Sequence, residues 1–174
     1  MDVLLVAATV RELGGRDGLA CGIGPVEAAA ATAAALAGRR PDAVLHVGLA
    51  GARSLAPPAL VLGSEAVYED IQAAISVVSH GHPDVALLGR AREALPEAHV
   101  LPIGTSARVG AVAGCDIEGM EGFGVLRACA LAGVPAVELR AVSNAIGQGD
   151  RARWRVDEAL AALADAITRV VAVV

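Results

Sequence analysis

Apolar residues run almost unbroken from Val3 to Ala8 and again from Ala43 to Val47. Short runs without polar alternation predict strands buried on both faces, as in parallel sheets. Residues 13–18 (LGGRDG) predict a turn. Gly22-Ile23-Gly24-Pro25 leads into an alanine-rich helix over about 25–37, with Pro25 in its first turn and Gly38 at C′. The segment Gly48-Leu49-Ala50-Gly51-Ala52 reads as a small-residue loop, and Pro57-Pro58 breaks the chain. Residues 59–68 and 73–78 predict strands, 79–83 a loop, 84–95 a helix, and His99 to Ile103 a strand. Met120 to Ala132 predicts a helix closed by Gly133, and Val134 to Val142 a strand. From Arg153 to Val173, Val156, Leu160, Leu163, Ile167 and Val170 recur at helical spacing, so the last element is a long amphipathic helix. Strands alternating with helices imply an α/β fold with helices on both faces of the sheet. The length suits one domain over residues 1–174, with room for a core.

Composition narrows this picture. Aromatic residues are 2% of a chain that is 55% hydrophobic, so the core must be built from small and branched aliphatics. All 14 basic residues are arginine, and the net charge is −5, which argues against a nucleic-acid partner held by a broad basic surface. No stretch reaches the roughly 20 apolar residues needed to span a bilayer, so no membrane partner is expected. Cys21, Cys115 and Cys129 form no CxxC pair, which indicates neither a zinc knuckle nor a redox motif. Their odd number, with no signal-like start, points to reduced thiols in a cytoplasm. His80-Gly81-His82 has metal-ligand spacing, but beside Pro83 it reads as a solvated turn, and neither a metal nor an organic cofactor is expected.

Active sites of open α/β sheets gather at the carboxyl ends of strands, and several residues fall there. Glu12 follows the first strand; on position alone it is a solvated loop residue. His46-Val47-Gly48-Leu49-Ala50-Gly51 ends the second strand, where bare glycines either admit a polar ligand to the backbone or serve close packing. Glu118 and Glu121 flank Met120 at a helix start, a place where a carboxylate commonly complements the helix dipole. Arg140 lies inside the apolar run Ala136 to Val142 and needs a partner if buried; Glu138 and Glu12 are the candidates. Arg140 and Asn144 share parity, so in a straight strand they face one side, ~13 Å apart. Gly22-Ile23-Gly24 lacks the third glycine of a dinucleotide fingerprint, since Glu27 stands in its place. It reads as a tight turn into a closely packed helix.

The string Glu118-Gly119-Met120-Glu121-Gly122, followed by Arg140-Ala141-Val142-Ser143-Asn144, resembles the signature of the nucleoside phosphorylase/nucleosidase superfamily. The resemblance implies a phosphorylase/hydrolase-like fold, a central mixed twisted sheet flanked by helices. It also implies site roles. Glu12 activates the attacking water, Arg140 orients Glu12 and that water, and Glu121 holds the ribose hydroxyls with Met120 against the sugar. Gly48 and its loop line the ribose, and Ser143-Asn144 face the base.

Many members have a polar residue where Leu49 stands, and the chain has no Gly-Asp-Pro segment after the first strand, so hydrolysis is favoured over phosphorolysis. Adenine-specific members carry Asp after the Ser. Here Asn144 offers an NH₂ to the O6 of a 6-oxopurine and a carbonyl to a protonated N7. That feature, with Val6-Ala7-Ala8-Thr9 and Asp150-Arg151-Ala152-Arg153-Trp154, is similar to the futalosine hydrolase family, whose members cleave a hypoxanthine nucleoside. The expected partner is therefore a small purine nucleoside. Its 5′ benzoate makes Arg151, Arg153 and Arg108 candidates, while Trp154 reads as a helix-packing anchor. The rivals are an adenosine-type nucleosidase, a purine phosphorylase and a non-catalytic nucleoside-binding domain; Glu12, Glu121 and Arg140 together argue against the last. The family's habit and the apolar composition predict a homodimer or higher homo-oligomer.

Overall fold

Parity along three strands decides the architecture. In the computed structural model, which describes residues 1–174, strand β1 (Val3–Ala7) pairs in parallel with β3 (Ala43–Ala52). Strand β8 (Ala136–Ala145) pairs in parallel along the other edge of β3. Successive side chains of a strand point to opposite faces. Leu5, Ala7, Leu45, Val47, Val137, Leu139 and Ala141 belong to one core cluster. Leu4, Val6, Val44 and Ala136 belong to a second. The odd-numbered face is covered by helices α2 (Val85–Ala94) and α4 (Val156–Val171), which contribute Leu87, Ala91, Leu163, Ile167 and Val170. The even-numbered face is covered by α1 (Pro25–Gly38) and α3 (Gly122–Ala132), through Ala28, Leu36, Val125 and Cys129. Full burial of each Leu, Ile or Val contributes about 1.5–3 kcal/mol, which is how a core nearly free of aromatics holds. At Gly124 even a methyl group would run into the Pro25 carbonyl, so α1 and α3 pack backbone to backbone.

The other strands continue the sheet. Strand β7 (Ile117–Gly119) pairs antiparallel with the end of β3, and β6 (His99–Thr105) pairs in parallel with β7. Strand β4 (Leu60–Tyr68) is parallel to β6 and antiparallel to β8. The pairings thus return to β3 and close β3, β7, β6, β4 and β8 into a ring. Two-residue strands lie outside it: β2 (Leu19–Ala20) beside β1, and β5 (His80–Gly81) beside β4. A mixed sheet flanked by helices is the expected class.

Several sequence expectations need correction. Gly48 to Ala52 is not a loop; it is the second half of β3, because β8 and β7 satisfy its backbone groups. Residues 73–78 form no strand, and Ile75 and Val78 are exposed; the edge of β4 is taken by His80–Gly81, expected as loop. Helix α3 begins at Gly122 rather than Met120, since Ile117–Gly119 are drawn into the sheet. Gly133 closes it in the left-handed conformation (φ 65°), as expected. Gly38 is the last residue of α1, not its C′ residue, and the helix ends on Arg39 in extended backbone. Helix α4 starts at Val156; Arg151–Arg153 before it form a separate 3₁₀ turn, capped by Asp150. No helix is long and apolar enough to cross a membrane.

Candidate active site

The even-numbered face changes character halfway along β3 and β8. His46 stands opposite Glu138 in register, and Gly48 opposite Arg140. His46, Glu138 and Arg140 are all fully or almost fully buried. Arg140 donates from Nε to Glu138 Oε1 (2.8 Å) and from Nη2 to His46 Nε2 (2.6 Å). His46 Nδ1 lies 3.0 Å from the Val6 carbonyl, which can only accept. The proton is therefore on Nδ1, and Nε2 offers a lone pair to the guanidinium. Burial first, and the Arg140 charge second, hold the His46 pKa well below its ordinary value, so the ring is neutral. Burial alone would lower the Arg140 pKa; the charges of Glu138 and Glu121 outweigh it and hold the guanidinium above its ordinary range. Burial pushes the Glu138 carboxyl up against the pull of Arg140.

The remaining nitrogen, Arg140 Nη1, donates to the Leu49 carbonyl (3.2 Å) and to Glu121 Oε2 (3.3 Å). Glu121 occupies the N-cap position of α3, but its side chain makes no cap bond; it turns inward, where Oε1 accepts from Gly24 N (3.2 Å). Each oxygen of Glu121 thus keeps one lone pair free. Glu12, in the turn after β1, accepts at Oε2 from Thr9 N (3.0 Å) and Thr9 Oγ1 (2.7 Å), and at Oε1 from Leu49 N (3.1 Å). Three of its four acceptor positions are used, and one on Oε1 remains. A Cβ at position 48 would collide with Arg140 Nη1 and come within 3.0 Å of Glu12 Oε1, so glycine there is what lets the two side chains approach. Glu118 accepts from Gly110 N (2.7 Å) and Val112 N (3.1 Å), which ties the segment after β6 to the site.

Past Arg140 the register between β3 and β8 slips by one residue. Ala50 pairs with Val142, but Gly51 pairs with Asn144, which leaves Ser143 as the extra residue. The shared parity expected of Arg140 and Asn144 therefore does not hold. Ser143 Oγ donates to Asn144 Oδ1 (2.8 Å), and Asn144 Nδ2 donates to the Ala145 carbonyl (3.0 Å), which fixes the amide's orientation. One N–H and one lone pair of that amide stay free.

These groups surround a cavity of about 520 Å³ whose lining includes Glu12, Met120, Glu121, Ser143 and Asn144. Two of the expected site residues, Arg140 and Gly48, lie beneath it rather than on its wall. Arg140 does not pair with Glu12 as expected; it pairs with Glu138 and Glu121 and reaches Glu12 only through the Leu49 peptide groups. Trp154, expected as a helix-packing anchor, stands at the site. It lines the cavity, donates from Nε1 to the Gln148 carbonyl (3.0 Å), and has the Arg151 guanidinium 5.6 Å from its ring centre. Of the three candidate arginines only Arg151 lines the cavity; Arg11, which sequence reasoning passed over, does so too. Gly24, read as part of a structural turn, also serves the site through its N–H to Glu121. His80 Nδ1 lies 2.8 Å from Glu65 Oε2, and no group of three or more His, Cys, Asp or Glu assembles there.

This fold and cavity define a class. Residues 106–174 match the family model described as the Phosphorylase superfamily. A 5′-methylthioadenosine/S-adenosylhomocysteine nucleosidase from Colwellia psychrerythraea, solved in complex with adenine, superposes with a TM-score of 0.88. It does so at 18% identity over 99% of this chain and 95% of that one, a likeness of fold. At the level of sequence, the chain is 40% identical over 185 residues to the futalosine hydrolase of Streptomyces coelicolor, spanning 88% of this chain and 77% of the relative. It is 34% identical over 184 residues to that of Thermus thermophilus, spanning 88% and 80%. The chain belongs to the futalosine hydrolase family.

Proposed function

We propose that the chain, acting as one nucleosidase domain over residues 1–174, hydrolyses the N-glycosidic bond of futalosine to hypoxanthine and dehypoxanthine futalosine, a step of menaquinone biosynthesis. The observation that carries this reading is the 40% identity to a futalosine hydrolase over 88% of the chain. The cavity supports it: Glu12, Glu121 and Asn144 line it, each with hydrogen-bonding capacity left free.

Glu12 uses its free Oε1 lone pair to take a proton from water, and the water oxygen bonds to C1′ as the C1′–N9 bond breaks. The bond pair leaves with the purine, whose N7 takes a proton from solvent water, and Glu12 returns the proton that it took to solvent, so the step balances as one water consumed. The two free lone pairs of Glu121 accept from the ribose 2′- and 3′-hydroxyls, with Met120 against the sugar. Asn144 donates to O6 and accepts from N7–H. Arg140 acts from below, through Leu49 and Glu121. Arg151, beside Trp154, faces the 5′ side. Proton transfer by a positioned carboxylate contributes about 10²–10⁴-fold.

The reaction needs no metal or organic cofactor. The cytoplasm is the expected compartment, supported by three unpaired cysteines. A homodimer or higher homo-oligomer is supported by exposed Val10, Ile23, Val26 and Val109; Ile23 and Val109 also line the cavity. Light scattering that gives one chain's mass at micromolar concentration removes the oligomer. For the activity, purified protein is incubated with futalosine, inosine and methylthioadenosine, with and without phosphate. Hypoxanthine released from futalosine without phosphate is the expected result. Methylthioadenosine cleaved as fast as futalosine would transfer the assignment to the adenosine-type nucleosidases.

A further inference from the structure

The cluster beneath the cavity contains two polar residues with no part in the chemistry above. His46 and Glu138 sit side by side on the two central strands, both fully buried. An ion pair in such a place loses in desolvation much of what it gains in attraction, and apolar residues of similar volume would serve stability as well or better. What apolar residues could not do is orient a guanidinium. Glu138 takes Nε–H and His46 takes an Nη2–H. Both hydrogens of Nη1 are then aimed at the cavity floor, one at Leu49 O and one at Glu121 Oε2. Leu49 N in turn holds Glu12.

We infer that His46 and Glu138 are positioning residues that clamp Arg140 from behind, so that one guanidinium sets the place of both Glu121 and the Leu49 peptide on which Glu12 rests. This rests on the roles given above to Glu12 and Glu121. The distances show a division of labour. Arg140 sits 2.8 Å from Glu138 but 3.3 Å from Glu121, so Glu138 draws the cation back and leaves Glu121 its lone pairs for a ligand. Glycine is required at 122 for the same reason: a side chain there would collide with both Glu138 carboxylate oxygens. His46 must stay unprotonated at Nε2 to accept from Arg140, and its Nδ1–H bond to Val6 O fixes that tautomer.

The test separates positioning from mere support. His46→Gln keeps an acceptor carbonyl near the place of Nε2, His46→Leu does not, and Glu138→Gln keeps shape while losing charge. Each is assayed on futalosine and on its 2′-deoxy counterpart. In the wild type, loss of the 2′-hydroxyl should reduce kcat/KM through the lost bond to Glu121. In His46→Leu that penalty should shrink about tenfold, because Glu121 is already misplaced, and His46→Gln should restore it; the coupling reads the path through Glu121. Glu138→Gln should shrink it about threefold. If both substrates slow equally in His46→Leu and Glu138→Gln, the residues only support the fold and the inference fails.

A readout without turnover covers a wild type inactive on futalosine, which would overturn the substrate reading alone. In protein labelled with ¹⁵N-arginine, the Arg140 Nε–H should be protected from exchange in the wild type and His46→Gln. It should exchange faster in Glu138→Gln, which weakens its acceptor, and shift in His46→Leu, which frees the neighbouring Nη2. A signal that does not change in either variant overturns the clamp directly.

Discussion

The two faces of β3 and β8 are a residue apart and differ in kind. The odd-numbered face presents Leu45, Val47, Val137, Leu139 and Ala141 to α2 and α4, all buried and all apolar. The even-numbered face begins the same way, with Val44 and Ala136, and then turns to His46, Gly48, Glu138 and Arg140. One face is held by area removed from water, which is additive and tolerant of exchange among aliphatics. The other is held by directed bonds around one cation, in which each member is specified by the next. A change on the first face should therefore alter stability and leave chemistry alone; a change in the network served by the second should do the reverse or both.

The largest effect is expected where that network meets the cavity. Glu12→Gln retains the size, but its NH₂ replaces one acceptor oxygen, so the bond from either Leu49 N or Thr9 N is lost, and the amide cannot take a proton from water. Turnover should fall about 10²–10⁴-fold while a non-hydrolysable nucleoside binds about as before. Turnover close to that of the wild type would show that another group is the base.

The apolar face is probed by Leu139→Ala. Leu139 is 0% exposed among Leu45, Val137 and the α4 side chains. A buried Leu→Ala change costs about 2–5 kcal/mol, the spread depending on how far the site collapses. The denaturation midpoint should drop accordingly, with kcat/KM per folded molecule nearly unchanged. A large loss of activity at unchanged stability would mean that the two faces are not separable.

These faces also show what could be read in advance. The apolar runs at 3–8 and 43–47 were legible as strands because hydrophobic continuity is a local property, and so was the amphipathic helix ending near Val173. The site motif was legible as a string, and Glu12, Met120, Glu121, Ser143 and Asn144 do meet at one cavity. What was not legible depended on pairing. Gly48–Ala52 looks like a loop until β8 and β7 lie beside it. The partner of Arg140 could not be chosen between Glu138 and Glu12 without knowing that Gly48 stands opposite it. The slip at Ser143 has no signature in a single strand. His46 could have been noticed: a polar residue inside an apolar run, like Arg140 in its own, asks for a buried partner.

A smaller effect, on selectivity, is expected from Asn144→Asp. The amide is held by Ser143 Oγ and the Ala145 carbonyl, and a carboxylate would face that carbonyl acceptor to acceptor. Toward a 6-oxopurine it would also lack the N–H that meets O6. An unpaired buried polar group costs about 1–3 kcal/mol. The ratio of hypoxanthine to adenine nucleoside cleavage should therefore fall by roughly ten- to a hundredfold. General damage to the site cancels in that ratio, so an unmoved ratio would remove Asn144 from base recognition.

The smallest effect reads the even face through stability alone. In the unfolded chain His46 titrates near the ordinary value of about 6.5. In the fold its pKa is held well below that, by burial and by Arg140. Between those two values the unfolded chain binds a proton that the folded chain refuses, so stability is fully present above about 6.5 and declines as the pH falls below it. The slope approaches about 1.4 kcal/mol per pH unit. Glu138, with its pKa raised by burial, acts in the opposite sense, binding a proton in the fold that the unfolded chain has released. That contribution is shared by wild type and His46→Gln, so comparing the two isolates the histidine. From pH 7.5 to 5.5 the wild type should lose about 1.4 kcal/mol relative to His46→Gln in urea unfolding. Parallel stability curves would mean that His46 can take a proton within the fold, and that its lone pair is not committed to Arg140.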